Sequence, residues 1–299
     1  MSALLGFAAW LAVAGSPAEP GPTPWAQAGA RPWSLCRGHE REAQVRLESE
    51  GVQVDEAKSS VWRTRAALCP GSPAVLVAAA LVELGRPPEL LASPVELGRV
   101  FVQQREDALA WLRRARAESA RRGEAPPPLT DYLEAYASYG LGELDRAAAA
   151  LDAARARGDV ESWRIDRLGA LVALGRGDLD AAVHLAHRSW IHAATSGRVA
   201  SAYVWALVMD RAGATDEARR DLARLRSSEA RGRSVLDSLL PVHERFYVMA
   251  LEQEALGHAS GAIELWQAYL TLPAVQAAER VQVERRLAEL GRGGLESAE

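Results

Sequence analysis

The feature that most constrains this chain is a registered recurrence of small residues. The segments GELDRA (142–147), GDLDAA (177–182), GATDEA (213–218) and GHASGA (257–262) share a Gly and a final Ala. Their final alanines, Ala147, Ala182, Ala218 and Ala262, stand 35, 36 and 44 residues apart. Seven residues before each Gly lies a further Ala: Ala135, Ala170, Ala206 and Ala250. A Gly that ends one helix and two Ala positions that let helices approach closely describe a pair of antiparallel helices. One such pair cannot bury its apolar face alone, but a stack of them builds a continuous core. Leu151, Leu222 and Trp266 are of a size to fill the space between successive pairs.

Composition agrees. Ala, Leu and Arg dominate, all good helix formers, while β-branched and aromatic residues are sparse. The fold class expected is all-α. A length of 299 residues leaves ample room for a sizeable core. The net charge of −4 and the interspersed Arg, Glu and Asp argue against nucleic acid as a partner. The short basic clusters, Arg113, Arg114 and Arg116, then Arg121 and Arg122, read as solvated faces.

The recurring pattern over 129–272 resembles the tetratricopeptide repeat family, whose unit is about 34 residues. That resemblance implies a right-handed superhelical solenoid of antiparallel helix pairs. A fainter unit precedes it, with helices expected over 73–84 and 96–122 and Ala108 in the place of the last Ala. An insertion at 85–95 containing Pro87 and Pro88, and the run Pro126–Pro128, depart from the pattern. The segment Ser93-Pro94-Val95-Glu96 reads as a capping box with Pro at the first helical position. Residues 275–290 form an amphipathic capping helix with Val283, Leu287 and Leu290 on one face. The tail 291–299 is expected to be loose.

The resemblance also implies a concave groove lined by the first helix of each unit, which would bind a protein or peptide segment. Carried over by counting from each Gly, the groove positions are Tyr132, Tyr136 and Tyr139, then Arg164 and Arg167, then Tyr203 and Asp210, then Glu244, Tyr247 and Glu254. Tyr132, Tyr136 and Tyr139 are spaced i, i+4 and i+7 and share one helix face. Tyr suits contact surfaces, and half-buried packing is the equal alternative for these rings. Arg164 and Arg167 would clamp a carboxylate, or simply be solvated.

Residues 3–14 are continuously apolar. The run is shorter than the ~20 residues a membrane-spanning helix needs. With Ala12-Val13-Ala14 as a cleavage-like site, residues 1–18 read as a signal peptide, although no basic residue precedes the apolar run. An uncleaved apolar anchor, the one membrane contact envisaged, is the alternative. Residues 19–34 read as a Pro/Gly/Ala-rich spacer and 35–72 as an N-terminal helical hairpin, with helices near 38–51 and 54–68 joined at Gly51. Cys36 and Cys69 fall at the open end of that hairpin, where a bridge is geometrically reasonable. Two buried thiols are the alternative. A bridge persists only in an oxidising compartment, so an exported, periplasmic protein is expected, with the cytoplasm as the other possibility.

No signal for chemistry stands out. His184, His187 and His192 are close in sequence, yet no carboxylate or cysteine stands at a matching spacing, so no metal is expected. There is no Gly-x-Ser-x-Gly elbow, phosphate loop or His-Glu-x-x-His motif. The expected role is a non-enzymatic scaffold or assembly factor without cofactor. A cytosolic regulatory repeat domain and an enzyme with an unrecognised site are the competing readings.

Overall fold

The computed structural model describes residues 32–48, 56–85, 93–225, 240–272 and 277–296. Among them the chain is all-helical, with thirteen helices and no strand. In chain order these are α1 (Pro32–Glu48), α2 (Glu56–Leu68), α3 (Pro73–Gly85), α4 (Pro94–Arg122), α5 (Thr130–Gly140), α6 (Leu144–Arg157), α7 (Ser162–Gly175), α8 (Leu179–His192), α9 (Thr195–Arg211), α10 (Thr215–Leu225), α11 (Val242–Ala255), α12 (Ala259–Leu270) and α13 (Ala277–Glu296). Five consecutive pairs, from α3·α4 to α11·α12, pack internally, and each pair contacts the next.

The small residues act where their register predicts. Gly142, Gly177, Gly213 and Gly257 all adopt positive φ, between 72° and 90°. Each ends the first helix of its pair in the same way. The Gly N–H donates three residues back, and the next N–H donates five back, as in Gly142 to Tyr139 O (2.9 Å) and Glu143 to Ser138 O (2.9 Å). Ala135, Ala170, Ala206 and Ala250 are wholly buried, as are Ala147, Ala182, Ala218 and Ala262. A larger side chain at any of these would separate the helices of a pair.

The capping box at Ser93 is present: its hydroxyl accepts from Glu96 N at 3.3 Å, and Glu96 Oε2 accepts from Ser93 N at 3.1 Å. The Pro126–Pro128 junction is held by Arg157, which donates to Pro126 O (2.7 Å) and Asp131 Oδ2 (3.0 Å). It delivers Leu129 in the left-handed region, the one non-glycine residue with positive φ among those described.

At the N-terminal end the arrangement differs from a self-packed hairpin. The main partner of both α1 and α2 is α3. Helix α3 buries eleven residues on all its faces, among them Val75, Leu76 and Leu84, and its one charge, Glu83, accepts from Arg63 of α2 at 2.7 Å, so it needs cover all round. α1 and α2 meet through side chains: Arg65 of α2 pairs with Glu42 of α1 at 2.7 Å, and Arg46 of α1 lies over the Trp62 ring of α2 at 5.8 Å. The Cys36–Cys69 disulfide is formed, with the Cα atoms 5.5 Å apart. A bond across this 33-residue separation is worth about 3–4 kcal/mol in the chain-entropy account. α1 begins at Pro32, so residues 32–34 of the expected spacer are helical. The signal-like segment 1–18, the turn at Gly51 and the Pro87-Pro88 insertion lie outside the described residues. α13 extends past the expected end at 290 to Glu296, so the first part of the expected loose tail is helical.

Candidate functional site

The groove-register residues gather on the first helices α5, α7, α9 and α11, and most are covered by the chain itself. Tyr132, Tyr139, Arg167, Tyr203, Asp210, Glu244 and Tyr247 are buried. Tyr136, Arg164 and Glu254 are partly accessible as whole residues. The Glu254 carboxylate end is nonetheless enclosed, its side chain only 2% exposed.

The centre of this region spans α9, α11, α12 and α13. Tyr247 donates to Asp210 Oδ2 at 2.5 Å, and Tyr203 donates to Glu252 Oε1 at 2.8 Å. Arg286 of α13 reaches back to Asp210 and donates to Thr215 Oγ1 at 3.1 Å. Arg211 lies over the Tyr247 ring at 4.0 Å, pairs with Glu244 at 3.4 Å and also pairs with Glu279. Tyr269 donates to Glu279 Oε2 at 2.9 Å. Glu254 accepts from the Trp266 indole N–H at 2.5 Å and pairs with Arg219. The rings of Tyr247 and Trp266 meet edge to face, with centroids 4.8 Å apart.

The closure extends across the array. α11 touches α4, and the electrostatic neighbours of Tyr139 on α5 are Glu244 and Arg211. Arg105 of α4 is fully buried, stacked on Phe101 at 3.4 Å, and it lies within the field of Arg245. Tyr132 and Tyr136, by contrast, pair with each other, with ring centroids 6.4 Å apart. Arg164 and Arg167 both lie over Trp163, at 5.1 and 5.2 Å, so neither presents a bare clamp for a carboxylate.

Electrostatics follow from this burial. Desolvation holds the phenols of Tyr139 and Tyr247 well above their ordinary value, as charge on the ring oxygen would stand in a poorly solvated interior. Tyr269 is raised for the same reason. Burial pushes the Arg105 guanidinium down to about 10, opposed by Tyr136 and reinforced by Arg245. Burial also works against the charge of Arg211 and Arg286, but their acidic and phenolic neighbours outweigh it and raise both. The chemical character is therefore that of matched charges: carboxylates receive guanidinium or phenol donors, and protonated phenols bridge them.

Arg211, Arg286, Arg105, Glu252, Tyr269 and Glu279 belong to this network and were not singled out from sequence. Arg286 stands three residues after Val283 and four before Leu290, at the edge of the apolar face of α13, and nothing in that local pattern names its distant partner. The three histidines lie elsewhere, on exposed positions of α8. His187 packs beside Trp190 and Trp205, whose stacked rings are 5.6 Å apart. Among the described residues no group of three or more His, Cys, Asp or Glu side chains is disposed to hold a metal ion. No helix among them is long and apolar enough to cross a membrane. The disulfide points to an oxidising compartment. No protein-family model matches the chain, and no curated protein matches it.

Proposed function

We propose that this protein is a non-catalytic interaction scaffold or assembly factor of the tetratricopeptide kind, a right-handed solenoid that holds a protein or peptide segment along its concave face. The observation that carries the reading is the unit-by-unit identity of the helix pairs: four left-handed glycines and eight wholly buried alanines in one register. An array built this way lines up equivalent first helices, and the part of their face that the chain leaves open is a surface suited to a partner chain. The formed disulfide favours a periplasmic or other exported setting over the cytosolic regulatory domain.

Tyr136 and Arg164 are the groove-register side chains that remain partly accessible, so they are the first points of contact for a partner. A photo-crosslinking residue placed at Tyr136 or Arg164 in the full-length protein, in its own cell envelope, tests this. The same residue at the exposed Glu264 on the second helix of the last pair is the control. The proposal expects one discrete adduct from the groove positions and none from Glu264. Adducts of equal yield from both faces, or none from the groove, would overturn it.

A further inference from the structure

Helix α1 is joined to the rest of the fold differently from every other helix. Of its residues with described side chains, Ala43 and Leu47 alone are buried, while Arg37, Arg41, Gln44 and Val45 are exposed. Arg46, partly buried, lies over the Trp62 ring of α2 at 5.8 Å, and further ties are polar. Glu40 accepts from Ser72 Oγ at 3.1 Å and from Arg122 Nη1 at 3.2 Å, and Glu42 pairs with Arg65. Such partly exposed pairs add little, and a helix of this length is marginal without tertiary support. Beneath it lies the start of α3: Leu47, Gln44 and Glu40 line a cleft with Pro73 and Ala74. The disulfide is the one covalent cross-link of α1 among the described residues.

We propose that α1 is a redox-released cap, locked over the N-terminal end of the array by Cys36–Cys69 and freed from it by a dithiol reductant. The two sulfurs are unequal. Cys36 is partly exposed, whereas Cys69 is 2% exposed. A reductant thiolate attacks Cys36 Sγ, the S–S bond breaks, and the electron pair leaves on the Cys69 sulfur, which takes up a proton. The reductant's second thiolate then attacks the mixed disulfide. It forms the reductant's own disulfide and leaves Cys36 as a thiol after a second protonation, two electrons and two protons in all. α1 then keeps the contacts of Ala43 and Leu47, the stacking of Arg46 on Trp62 and its polar pairs, without the covalent tie. It lifts away, uncovering the Pro73–Ala74 end of α3, while the pairs from α5 onward are unaffected. This holds whether or not the concave face binds a partner.

Hydrogen exchange on the full-length protein, oxidised and then treated with dithiothreitol under native conditions, tests the cap. Peptides covering 37–47 are expected to exchange roughly 100-fold faster or more after reduction, with peptides of α5 to α9 unchanged. The variant C36S/C69S reproduces the effect without reductant. Equal protection of α1 in both states would overturn the proposal. So would a bond that dithiothreitol cannot reach in the folded protein, or a loss of protection in α5 to α9 together with α1.

Discussion

A methyl group at Gly197 would fall 2.1 Å from a Trp163 ring carbon, well inside van der Waals contact. Trp163 has little freedom to yield: two guanidinium groups lie over its ring, and its carbonyl accepts from Ser189 Oγ at 2.9 Å. Gly197→Ala is therefore expected to destabilise the fold by about 1–3 kcal/mol through overpacking. Gly98, also inside a helix, has nothing within 4 Å of its Cβ position. Gly98→Ala should leave stability unchanged or raise it by up to about 1 kcal/mol, since Ala is the better helix former. Urea midpoints of the two variants at equal slope give the comparison. The same logic explains why Ala and Gly were readable and Tyr was not. A wholly buried contact between helices, or a positive φ, admits very few residue types, so Ala135 or Gly142 declares its environment. A tyrosine such as Tyr247 is amphipathic and fits a wet groove or a dry core with equal ease. Only its partners decide, and Asp210 and Trp266 are distant in sequence.

Helix positions were legible for the same reason. The capping box at Ser93 and the glycines mark starts and stops, and the apolar spacing of Val283, Leu287 and Leu290 marks the closing helix. Val283 is wholly buried. What α13 does beyond covering the last pair was not legible, because it rests on Arg286. That side chain, 6% exposed, meets an Asp210 side chain with no exposure at all. α13 is thereby locked to the end of α9, three described helices further back than its neighbour α12. Asp210→Ala would strand the buried guanidinium and remove the acceptor of the Tyr247 hydroxyl. A loss of about 3–5 kcal/mol is expected. Replacing both partners, Asp210→Leu with Arg286→Met, should recover a large part of it, as paired apolar groups need no compensating charge. Chemical denaturation of the single and double variants, arranged as a double-mutant cycle, measures the coupling.

On the scale of the whole molecule, the residues a repeat of this kind would turn toward a partner are mostly turned toward one another. Short-range register brings Tyr132 and Tyr136 together and sets Arg164 and Arg167 over Trp163. Closure of the array then sets Tyr139 near Glu244 and Arg211, and α11 against α4. That second step depends on how successive pairs accumulate in space, which no local pattern encodes. It produces a centre in which phenols hold their protons. A phenol whose pKa is raised by folding stays neutral above its ordinary value of about 10. Its contribution to stability is intact below that pH and is lost as the pH rises toward the folded value. The fold should accordingly weaken on the alkaline side, with Tyr139, Tyr247 and Tyr269 as the groups responsible. Alkaline titration of phenolate absorbance, with helical circular dichroism followed on the same sample, tests this closed centre most directly. The prediction is that Tyr139, Tyr247 and Tyr269 remain protonated beyond about pH 10 and ionise only as the helical signal collapses. Ionisation of all six tyrosines near their ordinary value, with helicity intact, would contradict it.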